Sequence, residues 1–154
     1  MLDPSQELDA LKDVVLAEGR VLKLLEPGAP EDSGEEWDVS GKLLVPGLID
    51  LHTHVYWGAT SLGVEAEPLA RRSGTTTFVD AGSAGPGNFP GFQRFIVDSS
   101  PLRFFAFMNV SYAGIYGFSA KVMAPECEDL RLLHAEECVR VAREFPQTIV
   151  GIKV

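Results

Sequence analysis

From residue 42 onward the chain alternates short β-branched and apolar runs with helix-like segments, and this rhythm restricts the fold more than any other feature. Leu43 to His54 reads as a strand, Pro68 to Arg72 as a short helix and Thr75 to Asp80 as a second strand. Phe92 to Asp98 reads as a helix and Leu102 to Val110 as a third strand. Asp129 to Phe145 has the strongest helical pattern, with Leu130, Leu133, Cys138, Val141 and Phe145 on one stripe and Pro146 ending it. Ile149 to Val154 is a fourth strand. Such an order is the pattern of an α/β protein, a parallel sheet with helices packed outside it. Four strands make half of an eight-stranded α/β barrel, and the complete barrel takes about 250 residues, more than the 154 present. An open half leaves two strand edges unpaired, so the chain is expected to associate with something or to be part of a longer one.

Residues 1–41 follow different rules and are expected to form a separate segment, with the barrel half occupying 42–154. Val14 to Leu16 and Val21 to Leu24 flank Ala17-Glu18-Gly19-Arg20, where Gly19 can supply the positive φ of a tight hairpin. Glu26 to Gly34 reads as a loop and Trp37 to Val39 as the start of another extended run. Of the formal net charge of −9, residues 1–40 carry 11 acids against Lys12, Arg20 and Lys23. A chain so acidic is repelled by nucleic acid and by anionic membranes. No apolar run approaches the ~18 residues of a membrane span, and the first residues have neither the basic flank nor the apolar stretch of an export signal. The expected location is the cytoplasm, with Cys127 and Cys138 reduced.

Two stretches carry chemistry. In Val45-Pro46-Gly47-Leu48-Ile49-Asp50-Leu51-His52-Thr53-His54, strand alternation places Asp50, His52 and His54 on one face and Ile49, Leu51 and Thr53 on the other. If the apolar set packs under helices, the imidazoles point into the barrel, where a His-x-His pair can supply two adjacent metal ligands; the alternative is two ordinary polar histidines at a strand end. In Ile149-Val150-Gly151-Ile152-Lys153-Val154 the apolar set Val150, Ile152 and Val154 should face the helices, leaving Lys153 inward. An inward ammonium must find an anion, lose its proton or be modified, unless its head simply reaches solvent.

The run from Asp38 to His54 resembles the first barrel strand of the amidohydrolase superfamily with its flanking small β-sandwich. Gly74-Thr75-Thr76-Thr77-Phe78-Val79-Asp80 is similar to that superfamily's second strand, and Gly151-Ile152-Lys153 to its fourth. Val55-Tyr56-Trp57-Gly58 after His54 gives the resemblance a dihydroorotase-like flavour, in the branch that includes deacetylases. The resemblance implies the N-terminal half, strands one to four, of a (β/α)8 TIM-type barrel preceded by part of a β-sandwich. It implies hydrolysis of an amide, cyclic amide or related ester in a small-molecule substrate, with one or two divalent ions such as zinc. His52, His54 and Lys153 are then the metal ligands, Lys153 as an N-carboxylated bridge whose carbamate turns an isolated cation into an anion.

Departures accompany the match. The family's later-strand histidines and its general-base aspartate have no counterpart in this chain, so the resemblance implies an inactive fragment, and Met1 to Gln6 resembles the close of a sandwich strand that starts earlier. The arginine that dihydroorotases place after the second histidine is also missing, with Tyr56 nearest to that position. A non-catalytic, truncated or partner-completed half-barrel is the alternative, a metal-free α/β protein a third possibility, and homo-oligomerisation of the full-length protein an open one. Tyr56, Trp57 and Asn109 are candidate substrate contacts, although aromatics there serve equally as packing. Asp80 suits either a site role or the bracing of a loop. Gly82 to Asn88 is expected to be a mobile loop at the barrel mouth, and His134 a helix residue near the core edge.

Overall fold

The computed structural model describes residues 1–30 and 34–154, so part of the expected 26–34 loop lies outside the described residues. The chain divides into two compact units, Met1–Pro46 and Gly47–Val154. In the first, β1 (Leu2–Asp3) pairs antiparallel with β2 (Leu8–Asp9) across a 3-10 turn at Pro4–Gln6. Asp3 caps that turn, accepting from the Ser5 amide at 3.0 Å and from Gln6 Nε2 at 2.6 Å. A hairpin of β3 (Asp13–Ala17) and β4 (Arg20–Leu25) follows. Its two-residue turn has φ of 51° at Glu18 and 72° at Gly19, the doubly left-handed geometry that matches strand twist. Gly19 adopts this at no steric cost; Glu18 does so without any signal in its residue type. The extended run expected from Trp37 is irregular chain closed by a turn in which the Lys42 amide bonds the Val39 carbonyl at 2.9 Å.

The second unit is built on four parallel strands: β5 (Leu48–Thr53), β6 (Thr75–Asp80), β7 (Arg103–Asn109) and, after a small antiparallel pair β8 (Gly117–Phe118) and β9 (Met123–Ala124), β10 (Ile149–Lys153). Their order in space, β5-β6-β7-β10, follows the chain. Each crossover carries a helix: α1 (Ala66–Ser73), α2 (Phe89–Phe92) running on into a π turn at Gln93–Val97, and α3 (Ala135–Glu144). Because parallel crossovers are right-handed, a sheet that never reverses its order collects all its helices on one side. One core accordingly holds Phe78, Phe104, Ala106 and Met108 from the central strands, Ala66 from α1, Phe89 and Phe92 from α2, and Cys138 and Val141 from α3.

Several boundaries move for local reasons. β5 starts at Leu48 rather than Leu43, and 42–47 is irregular. The second helix starts at Phe89, three residues before the expected Phe92, because Pro90 is tolerated in a first turn where its missing N–H has no partner to lose. The 129–145 segment breaks in two. Asp129 caps a 3-10 turn at Leu130–Leu132, Leu133 bridges to Ser111, and the helix proper begins after His134.

The outer strands differ from the central ones. Ile49 and Leu51 of β5 are 61% and 72% exposed, and Val150 and Ile152 of β10 are 54% and 41% exposed. The expectation that these apolar sets lie on the helix side fails for Ile49, which pairs with Thr77 rather than with a core residue, and holds for Ile152, which sits beside the core residue Met108 yet stays partly exposed. The buried core is drawn mainly from the central strands and the three helices, with Ile149 of β10 packed against it.

Candidate functional site

The C-terminal ends of the parallel strands meet at one edge of the sheet, and the loops leaving them are laced together. At the end of β5 the Thr53 carbonyl accepts from the Ala81 amide at 2.8 Å, and the Val55 amide donates to Asp80 Oδ2 at 2.9 Å. Asp80 Oδ1 also accepts from the Ser83 amide at 2.7 Å. The buried Asp80 carboxylate thus ties the loop after β5 to the loop after β6, which is the bracing role rather than a site role. Burial pushes its pKa up, opposed by these hydrogen bonds and by His54.

Between Asp50, which pairs with Phe78, and Thr53, which pairs with Asp80, the register of β5 on β6 slips by one residue. Simple alternation therefore fails for Asp50, whose Cα partner Phe78 belongs to the helix-side core. It holds past the slip, where the His52 and His54 rings meet edge to face with centroids 5.6 Å apart and planes at 75°. His52 is exposed and His54 half-buried. The Ser83 hydroxyl lies 3.0 Å from His54 Nδ1, which leaves Nε2 as the nitrogen for a ligand. Burial lowers the His54 pKa, against the pull of Asp80 and with help from the Lys153 and His52 charges; the ring is thereby held in the neutral form that binds metals.

Lys153 reaches the same region from the other end of the sheet. β10 pairs with β7 so that Ile152 sits beside the core residue Met108 and Lys153 beside Asn109, on the face away from the helices. The lysine stem runs over Gly82. A Cβ on that glycine would lie 2.6 Å from Lys153 Cδ and 3.2 Å from Asn109 Nδ2, and its φ of 92° suits glycine alone. Lys153 Nζ lies 3.9 Å from Glu126 Oε1 on the long β7–α3 connection.

The remaining candidates sit elsewhere or are already engaged. Asn109 is fully buried. Its Nδ2 donates to the Gly82 carbonyl at 3.1 Å and its Oδ1 accepts from the Ser111 amide at 2.8 Å, so its amide braces two loops. Tyr56 packs edge-on against Phe92 at 5.3 Å and donates to the Asn88 carbonyl at 3.3 Å. Trp57, 60% exposed, lines a groove with Glu65, Pro68 and Phe95. Among the described residues no ring contact joins either aromatic to the histidines.

The loop expected to be mobile is instead pinned. Residues 81–86 are buried, the Asn109 amide bonds the Ala84 carbonyl at 2.9 Å, and Asn88 Nδ2 donates to the Ala113 carbonyl at 3.0 Å. His134 caps α3, its Nδ1 accepting from the Glu137 amide at 3.3 Å. Ser83 and Glu126 are the site residues that sequence reasoning passed over. Neither sits at a diagnostic spacing; Ser83 could have been noticed as the one hydroxyl in the glycine-rich loop following β6.

Among the described residues no three His, Cys, Asp or Glu side chains gather for a metal. Two imidazoles lie side by side, and the charge of Lys153 is felt at one of them, His54. Their chemistry suits a divalent ion, since the rings are adjacent and one is oriented through its second nitrogen in the manner of metal-bound histidines.

No family model matches the chain. Its sequence is similar to a deacetylase of Agrobacterium fabrum, 36% identical over 126 residues, and equally to a deacetylase of Brucella anthropi; each match covers 82% of this chain and 30% of the relative. A dihydroorotase of Desulforapulum autotrophicum is 47% identical over 57 residues, covering 36% of this chain and 13% of that enzyme. Among solved structures, a dihydroorotase superposes with a TM-score of 0.64 at 33% identity, covering 70% of this chain and 33% of its own. An adenine deaminase superposes at 0.60 and 28% identity, covering 70% and 27%. The chain thus spans about 30% of the length of the deacetylases it matches. With its four ordered parallel strands it has the fold of an α/β half-barrel, and the relatives and solved structures it resembles, deacetylases, dihydroorotases and an adenine deaminase, are all members of the amidohydrolase superfamily.

Proposed function

We propose that this chain supplies the first part of the metal centre of a hydrolase acting on amide, cyclic amide or related ester bonds. The observation that carries the proposal is the His52–His54 ring pair, 5.6 Å between centroids, with the second nitrogen of His54 held by Ser83. His52 and His54 would hold one divalent ion, zinc by preference, and Lys153, once N-carboxylated, would offer carbamate oxygens to that ion and a second one. Such ions supply Lewis acidity and lower the pKa of a bound water toward 7.

The chain's own residues prepare this centre. Ser83 orients His54, burial keeps that imidazole neutral, and Asp80 and Asn109 fix the loops that surround the rings. Removal of an acyl group fits better than dihydroorotate chemistry. The deacetylase match covers 82% of the chain, and Val55-Tyr56 follows His54 where a dihydroorotase keeps an arginine for its substrate carboxylate. Two imidazoles and one lysine are fewer protein donors than a two-ion centre uses, so turnover is expected only once the rest of a barrel is supplied. The exposed Ile49, Leu51, Val150 and Ile152 favour a second reading, a non-catalytic half-barrel whose edges a partner completes.

Zinc affinity tests the proposal directly, by competition with a chromophoric chelator. His52→Ala and His54→Ala should each weaken binding by at least about tenfold, because losing even an outer-shell partner of a ligand costs about 10–100-fold. Affinity unchanged in both variants contradicts it. Hydrolysis of N-acyl amino acids or aryl esters by this chain with zinc, lost in His52→Ala, would show that its own donors suffice.

A further inference from the structure

The sequence offers Trp57 as a substrate contact; the structure sets it instead in a crevice between α1 and the π turn at Gln93–Val97. The crevice has a volume of about 390 Å³, within the roughly 300–1,000 Å³ of small-molecule pockets. The core residues Val55, Ala66 and Phe104 line it, and Phe95, 68% exposed, reaches it from the π turn. A neighbouring cavity of about 500 Å³ shares Trp57 and Glu65 with it.

The loop that carries Trp57 is pinned. The Ala59 amide bonds the Tyr56 carbonyl at 3.2 Å, the Val64 amide bonds the His54 carbonyl at 2.9 Å, and the Ser61 hydroxyl donates to the Phe118 carbonyl. The indole it holds out is 60% exposed and meets no other ring and no cation among the described residues, whereas the Phe95 ring already has the Arg94 guanidinium 6.0 Å from its centroid. The charges of the crevice are unequal. Glu67 is answered by Arg71 at 3.7 Å and by the Ser100 hydroxyl at 3.2 Å. Glu65 caps no amide of α1 and has no hydrogen bond or ion pair among the described residues. One carboxylate is left over in a crevice that also holds an open indole.

We propose that this crevice binds a small organic cation, an ammonium with an aromatic or short alkyl body, its body against Val55, Ala66 and Phe104 and its charge between the Trp57 face and the Glu65 carboxylate. An indole attracts a cation through its ring quadrupole more strongly than a phenyl ring does. The apolar floor selects an organic ion over an inorganic one, because the ligand's body leaves water there. The unpaired carboxylate discriminates against an anion of the same shape. None of the residues that line the crevice is a proposed metal ligand, so its occupancy does not depend on the metal centre.

The test titrates the full chain, without metal, with benzyltrimethylammonium. Binding is read by tryptophan fluorescence in a Trp37→Phe background, which leaves Trp57 as the only indole. Saturable quenching is expected, and the anionic 3-phenylpropanoate should bind at least about fivefold more weakly. Glu65→Gln should weaken the cation about three- to fivefold and narrow the gap between the two ligands. Trp57→Leu, followed by calorimetry, should weaken it about tenfold, and His52→Ala should bind it as wild type does. Circular dichroism confirms that each variant folds. No saturable binding, equal affinity for cation and anion, or Glu65→Gln and Trp57→Leu variants that bind as wild type does, overturns this inference and leaves the proposed function standing. Loss of binding in His52→Ala places the cation at the rings and overturns it as well.

Discussion

Gly82 shows how much the candidate site depends on single atoms. Its missing Cβ leaves the channel through which the Lys153 stem passes. Gly82→Ala should destabilise the chain by about 1–3 kcal/mol in urea unfolding, through strain at positive φ, and should displace Lys153. Asp80 is the complementary case. Asp80→Ala leaves the Val55 and Ser83 amides without their acceptor, and two stranded donors cost roughly 2–5 kcal/mol; a loss below about 0.5 kcal/mol, the range of surface substitutions, would contradict the bracing role. The Asp129 carboxyl is held down to about 2 by the Arg131 side chain and amide. A lowered carboxyl pKa favours folding above its ordinary value of 3.8, and that contribution disappears as pH falls toward about 2. Acid unfolding of Asp129→Asn should lack that part of the slope. At this scale the adjacency of His52 and His54 was legible in their spacing along one strand. A role that depends on a distant neighbour was not, because nothing near Ser83 or Glu126 in the chain announces His54 or Lys153.

The elements themselves were largely readable. Thr75–Asp80 has the expected bounds, and α1, β7 and β10 are displaced by a few residues at most. The failures have physical reasons. The pattern of α3 continued through Leu130 and Leu133 because a 3-10 turn also presents residues three apart, and only the cap chemistry at His134 marks the true start. His134→Asp, a stronger cap with a charge that suits a helix N-terminus, should raise stability by about 0.5–1 kcal/mol while leaving zinc affinity unchanged. Lower zinc affinity would assign that histidine to the metal. The loop after β6 departs from its expected mobility for a related reason. Glycine and serine suit a mobile loop, yet here they permit close packing, and residues 81–86 are buried.

For the whole molecule, the deciding fact is a four-stranded parallel sheet whose two edges meet no further strand among the described residues, with apolar residues exposed beside them. Strand order could be inferred from the alternation of elements; the bareness of Ile49 and Val150 could not, because a strand's pattern shows that a face wants cover without showing what provides it. The central claim is that His52, His54 and Lys153, from the two outer strands, share one metal centre. Anomalous X-ray diffraction at the zinc edge, on crystals grown with zinc and bicarbonate, tests it most directly. The account predicts a zinc peak bonded to both imidazoles, with density for a carboxyl group on Lys153 Nζ reaching the same ion. A peak away from the two rings, or an unmodified Lys153 out of reach of the metal, would contradict it.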